Sequence, residues 1–184
     1  DAPDRLEIRG EIYLPRAAFD RMNQEREAAG EPAFANPRNA AAGAIRTLDS
    51  AAVARRGLRA FTYQVVVPPD VTLPHTTHAQ VLQALAAWGC PVEPHWRRCE
   101  GLEVLTAFIR EWHDARHRLA FDTDGVVVKL DELAPREMLG ATAKFPRWAT
   151  AFKFPAEQAT TVLKRIDVNV GRTGAVTPYA VLEP

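Results

Sequence analysis

Near the start of the chain Leu6 and Ile8 alternate with Glu7 and Arg9 before a run into Ile12 and Tyr13. Period-two alternation predicts a strand over 5–14, interrupted at Gly10. Pro15 opens a helix at its first position, where its missing N–H is no loss, and Phe19 and Met22 lie three apart on one face up to a stop at Gly30. The Ala-rich stretch 35–49, ANPRNAAAGAIRTLD, predicts a short, tightly packed helix. Asp49 or Ser50 caps a further turn that stops at Gly57. Residues 58–67, LRAFTYQVVV, predict a strand that Pro68-Pro69 ends. Thr77 starts a helix with Val81, Leu82, Leu85 and Trp88 on one side and Gly89 at its end. A second helix over about 101–117 carries the stripe Leu102, Leu105, Phe108, Ile109 and Trp112. Residues 125–130, GVVVKL, predict a buried strand, Arg136–Leu139 a helical turn, and 148–154 another strand. The segments 160–170 and 174–182 predict two strands joined by Gly171-Arg172-Thr173-Gly174.

Strands and helices mix without a βαβ rhythm, which predicts an α+β fold with mainly antiparallel sheets. The expected boundary falls after about residue 157, where long β segments take over. A length of 184 residues suits one domain or a domain with a small attachment. With 47% hydrophobic and 25% charged residues, disorder of the whole chain is excluded. No run of about 18 apolar residues suggests a membrane-spanning helix. The Asp1-Ala2-Pro3-Asp4 start has no secretory character. Cys90 and Cys99 form no C-x-x-C pair, so a disulfide scaffold is excluded and a reducing cytoplasm is expected.

The formal net charge of zero argues against a histone-like polycation. By position the balance breaks up: residues 36–60 carry +4, residues 140–172 carry +4, and residues 100–138 carry −4. Two basic tracts can converge on one polyanion, although solvated helix faces give the same pattern.

His113-Asp114-Ala115-Arg116-His117 places two imidazoles at i and i+4, as in H-E-x-x-H zinc sites. Its acid is a methylene shorter and no third ligand follows, so it reads as a solvated helix end. Lys129-Leu130-Asp131-Glu132 nearly spells K-x-D-G, but Glu132 replaces the glycine the tight turn needs, so Lys129 is not read as a nucleophile. Four segments are more informative. Glu11 follows a glycine that interrupts a strand. Arg38 and Arg46 lie eight residues, about 2.2 helical turns, apart, and guanidinium forks suit phosphate oxygens. Asp124 precedes a strand in which Val127 and Lys129 share a face. Lys153 sits between Phe152 and Phe154, which point to the other face. Together they suggest a nucleotide-phosphate site on a sheet.

LEIRGEIYLP at 6–15, FANPRNAAAGAIRTLD at 34–49, FTYQ at 61–64, DTDGVVVKLD at 122–131, PRWATAFKFPAE at 146–157 and VGRTGAVTP at 170–178 resemble, in order, the adenylation domain of bacterial NAD-dependent DNA ligases. The resemblance implies a nucleotidyltransferase (ATP-grasp-like) fold. Residues 1–157 would form the C-terminal part of the adenylation domain, and 158–184 its end with the first strands of an OB-fold. It implies that Glu11 binds the ribose, that Tyr63 stacks on adenine, and that Lys129 and Lys153 contact the adenylate. Asp124 corresponds to the acid opening the Lys129 motif, Arg38 to a phosphate- and nicotinamide-mononucleotide-binding arginine, Arg116 to a rim arginine, and Arg46 to a DNA-facing one. Gln64 stands where the family has a glycine.

The implied activity is nick sealing in DNA replication and repair, with NAD and magnesium, on double-stranded DNA, by a monomer. The family's K-x-D-G lysine does not occur in these 184 residues. The expectation is a piece of a larger enzyme, inactive alone in self-adenylation, whose zinc site would lie in other domains. An ATP- or GTP-dependent covalent nucleotidyltransferase and a catalytically silent nucleic-acid-binding module are the alternatives. FANPRNAAAG argues against the first, and an upstream in-frame K-x-D-G would exclude the second.

Overall fold

The computed structural model describes residues 2, 5–68, 70–156 and 160–183. Pro69, Glu157 and most of the first four residues lie outside that set, as does the boundary expected at 157. The chain divides into two compact units, Asp1–Phe154 and Pro155–Pro184.

In the first unit, strand β1 (Glu7–Tyr13) leads into helix α1 (Arg16–Ala28), then α2 (Pro37–Ile45), α3 (Ser50–Arg55) and β2 (Arg59–Val66). Next come α4 (His78–Ala87), α5 (Gly101–Ala115), a 3-10 turn at Arg116–Arg118, β3 (Gly125–Lys129), α6 (Ala134–Leu139) and β4 (Ala149–Lys153). β1 pairs antiparallel with β2, and β3 with β4. The expectation of mixed helices and antiparallel strands holds, with each described sheet a two-stranded ladder.

Polar side-chain caps fix where α2, α3 and α4 begin. Asp49 accepts from the amides of Ala51 and Ala52 at 2.9 and 3.1 Å and starts α3. Thr77 and Gln80 form a reciprocal capping box that starts α4. Pro15 stands one position earlier than expected, as the residue preceding α1, with its carbonyl taking the amides of Ala18 and Phe19.

Two apolar clusters hold this unit. Leu14, Ala18, Met22, Ala40 and Ala41 join α1 to α2, where alanines permit close approach. Val81, Leu82 and Leu85 of α4 pack with Tyr63 and Val65 of β2 and with Leu133. The fully buried Leu85 is worth about 2 kcal/mol relative to an exposed leucine.

Two expectations need correction. Leu102 is 76% exposed, because α5 buries only the C-terminal part of the predicted stripe. The strand at 125–130 is half-buried, with Val127 62% exposed, because a two-stranded ladder covers less surface than a full sheet.

In the second unit β5 (Leu163–Val170) and β6 (Val176–Leu182) form an antiparallel ribbon. Its turn is closed by hydrogen bonds from Gly171 to the Ala175 carbonyl and from Gly174 to the Gly171 carbonyl. Gly174 takes the left-handed conformation, φ 80°, that favours glycine. Ile166, Val168 and Val170 form an exposed apolar row along β5.

Candidate active site

The β1–β2 register pairs Glu11 with Phe61, Gly10 with Thr62 and Arg9 with Gln64, so it skips Tyr63. Tyr63 is therefore the extra residue of a β-bulge, a device that re-aims a side chain. Gly10 is required at this point because a Cβ would strike the Phe61 carbonyl. The bulge brings the Tyr63 ring beneath Lys129, whose ammonium lies 4.4 Å from the ring centroid, a cation–π contact between two separate ladders. Burial, and then the Arg136 charge, lower the Lys129 pKa to about 8.

At the opposite end of β3, Gly125 pairs with Lys153. Directly opposed residues share a face, so Lys153 projects from the same side of the ladder as Val127 and Lys129. Its ammonium donates to Asp124 Oδ1 at 2.7 Å. Both side chains are more than half exposed, so this is a screened pair that a ligand can replace. The Asp124 pKa is lowered, first by the hydrogen bond from Lys153, with a smaller contribution from the Arg38 charge. Arg38 thus acts electrostatically on the same carboxylate.

The loop carrying Asp124 is tethered from α1. Arg16 pairs with Asp122 at 2.6 Å and donates to the His117 and Leu119 carbonyls at 3.0 and 2.9 Å. The Phe154 amide donates to the Asp124 carbonyl at 2.8 Å. Arg116 lies over the buried Phe154 ring at 4.9 Å, next along the chain from Lys153.

Glu11 is exposed on β1, beyond the bulge, on the strand that pairs with the one carrying Tyr63. Arg46, the residue that closes α2, is exposed, as is Arg38 in the first turn. Contacts and charge thus gather the sequence candidates into two groups, Tyr63 with Lys129 and Asp124 with Lys153 and Arg38. His113 and His117 belong to neither: His113 packs edge-on against Phe154, and His117 lies in the 3-10 turn beyond α5.

Sequence reasoning missed the surroundings of Lys129. Arg136 is only 8% exposed and sits 4.2 Å from the centroid of the Trp148 ring. His78 at the start of α4 has its pKa lowered to about 4, chiefly by burial and then by Lys129 and Arg136. A cavity of about 280 Å³ lies beside them, lined in part by Gln64, His78, Arg136 and Trp148. Nothing in the sequence pattern pointed to this arrangement, since Arg136 opens a predicted helical turn and Trp148 a predicted strand.

Among the described residues no three His, Cys, Asp or Glu side chains gather to hold a metal. No helix there is long and apolar enough to cross a membrane. An exposed lysine–acid pair, a second lysine on the same face and an aromatic ring suit a nucleotide with its phosphate.

Comparison with known proteins gives the chain its family. Three curated proteins named DNA ligase are similar to this chain. That of Syntrophus aciditrophicus is 50% identical over 182 residues, covering 99% of this chain and 27% of the relative. That of Shouchella clausii is 49% identical, with the same coverage of both. That of Gemmatimonas aurantiaca is 50% identical over 184 residues, covering 99% of this chain and 27% of the relative. The chain thus spans about a quarter of the length of these relatives. Residues 1–157 match the family described as NAD-dependent DNA ligase adenylation domain, and the chain belongs to that family.

Proposed function

We propose that this chain is part of an NAD-dependent DNA ligase that joins a 5′-phosphate to a 3′-hydroxyl at a nick in double-stranded DNA. The observation that carries this reading is that Lys129 and Lys153 share one face of the β3–β4 ladder, one on an aromatic ring and the other beside an exposed acid.

In the first step, a lysine amine elsewhere in the full-length protein attacks the α-phosphorus of NAD. A P–N bond forms, the bond to nicotinamide mononucleotide breaks, and the amine loses its proton. A DNA 5′-phosphate oxygen then attacks the AMP phosphorus, and the P–N bond breaks as the lysine amine regains a proton. The 3′-hydroxyl next attacks the 5′-phosphorus and loses its proton, so that the phosphodiester forms as the bond to AMP breaks. Tyr63 stacks on the adenine and Glu11 accepts from the ribose. Lys153 exchanges Asp124 for the α-phosphate, whose developing charge it stabilises. Lys129 contacts the same adenylate. Arg38 holds phosphate and the departing nicotinamide mononucleotide. Arg116 lines the rim, and Arg46 faces DNA.

A base stacked at about 3.5 Å from Tyr63 overlaps the present place of the Lys129 ammonium, so Lys129 yields that place as the base enters. Magnesium, when bound, neutralises phosphate charge.

The reading extends to the fold and the cell. Residues 1–157 form the C-terminal part of a nucleotidyltransferase domain. Residues 158–184 form its end and the opening strands of an OB-fold, for which the β5–β6 ribbon is the support. The enzyme works as a cytoplasmic monomer in replication and repair, and the 184-residue piece does not self-adenylate.

The test is intact-mass measurement of the full-length protein after incubation with magnesium and either NAD or ATP. A gain of one AMP from NAD alone, greatly reduced in Lys153→Ala, is expected. Charging by ATP alone, or normal charging of Lys153→Ala, refutes the reading.

A further inference from the structure

We propose that Arg136 is a positioning residue for Lys129: from α6, its buried guanidinium clamps the end of β3 and so fixes the backbone from which the Lys129 side chain reaches the Tyr63 ring in the free protein and the adenylate once the base has entered. This deepens the proposed function and rests on its reading of Lys129 as an adenylate contact.

The clamp acts on Leu130, the residue after Lys129. Arg136 Nε donates to the Leu130 carbonyl at 2.8 Å, and Nη2 donates to the same oxygen. The Leu130 amide donates to the Trp148 carbonyl at 2.9 Å, and the Trp148 ring carries the guanidinium at 4.2 Å. Both backbone groups of Leu130 are therefore committed to the Arg136–Trp148 pair. The ladder otherwise ends at the Lys129–Ala149 pair, and the last rung of a two-stranded ladder frays readily.

The residue type is informative. A buried cation is costly unless it is paired. Asp131, the acid whose charge reaches Arg136, is instead 2.9 Å from Arg98 and accepts from the Ala79 amide. Arg136 thus spends its donors on one carbonyl and its flat face on an indole, a combination a lysine cannot reproduce. The guanidinium is held by, and in turn holds, the backbone of the residue next to Lys129.

Its charge supplies a second effect at the same place. Tyr63 from β2 lies beneath Lys129, and Arg136 from α6 acts on its charge. Both cations act on His78 from α4, which Asp131 of the connecting loop opposes, and Glu137 lines the neighbouring cavity. Burial and Arg136 together lower its pKa. His78 is held neutral by the same environment at pH 7.

The experiment compares Arg136→Met, Arg136→Gln, Arg136→Lys and Lys129→Met in the full-length protein carrying isotope-labelled lysine. NMR follows the ring-current shift of the Lys129 ε-methylene and its pKa, and single-turnover assays follow enzyme–AMP formation against pH. In Arg136→Met the ring-current shift shrinks, the Lys129 pKa rises from about 8 toward 10.5, and adenylation slows about tenfold. Arg136→Gln, which keeps a donor for Leu130 but no charge, retains the ring-current shift while the pKa rises. Arg136→Lys keeps the charge but not the planar fork, and loses the ring-current shift.

A folded Arg136→Met protein with unmoved Lys129 signals overturns the proposal. If that variant does not fold, an unmoved ring-current shift in Arg136→Lys overturns it. Adenylation that survives Lys129→Met while Arg136→Met moves the Lys129 signals supports the clamp and refutes the reading of Lys129 as an adenylate contact. Adenylation lost in Lys129→Met, with Arg136→Met indistinguishable from wild type, refutes the clamp alone.

Discussion

The Lys129 ammonium stands 4.4 Å from the centre of the Tyr63 ring, and the two residues come from different β ladders. A bulge places Tyr63 and the end of a strand places Lys129, so the contact depends on two irregular positions. It leaves a cation resting on the surface that the proposed function assigns to adenine.

Replacing Tyr63 therefore tests base recognition. Stacking of a base on an aromatic side chain is worth about 1–3 kcal/mol, so Tyr63→Leu raises the KM for NAD about tenfold. Tyr63→Phe retains the ring and stays near wild type. Adenylation kinetics of the full-length variants decide it, and an unchanged KM in Tyr63→Leu removes Tyr63 from the site.

Arg46 and Lys153 should separate by step. Arg46 is exposed at the end of α2, and a lost phosphate contact lowers the salt slope of DNA binding by about 1. Arg46→Ala therefore weakens binding to a nicked duplex more than it slows enzyme–AMP formation. Lys153→Ala lowers enzyme–AMP formation by about a hundredfold or more, as loss of a transition-state donor does. Fluorescence anisotropy across a salt series and intact-mass assays supply the two readings. The opposite pattern for Arg46 argues against a DNA-facing role.

The elements were legible because their determinants are local. Thr77 and Asp49 cap helices, Gly10 marks an interrupted strand, and alternation of Val127 and Lys129 gives a shared strand face. The contact between Lys129 and Tyr63 was not legible, since it depends on how one ladder approaches another. Arg136 was hidden for the same reason: its partners Leu130 and Trp148 lie six and twelve residues away on opposite sides. Leu102 followed the helical period yet stayed exposed, because periodicity gives a face and not the neighbour that covers it.

Two glycines give opposite expectations for stability. A Cβ at Gly125 would strike the Phe152 carbonyl and come within 3.0 Å of the Lys153 Cα. Backbone must move, so Gly125→Ala costs about 1–3 kcal/mol and displaces Lys153. At Gly43, within α2, a Cβ meets only the Phe34 ring, at 3.8 Å. Gly43→Ala is therefore neutral to stabilising by about 1 kcal/mol, the usual helix preference. Denaturant melts of the two variants check this. Equal stability for both would place the strand close approach in doubt.

His78 should make stability pH-dependent in one direction. Its folded pKa of about 4 lies below the ordinary 6.5, from burial first, then the Lys129 and Arg136 charges, with Asp131 opposing. Between these values the unfolded chain binds a proton that the folded chain does not. Stability from this group is thus complete above about pH 6.5 and is lost as pH falls toward 4. His78 is also the first residue of α4, where the helix dipole disfavours a cation. The side chain is partly solvated, so only part of the shift counts: about 1 kcal/mol, or roughly 2–4 °C in Tm for a chain of this size. His78→Gln cannot take up that proton, so its Tm falls less than the wild-type Tm from pH 6.5 to 4. Parallel Tm profiles would show that His78 protonates equally in the folded and unfolded states, contrary to its placement beside Lys129 and Arg136.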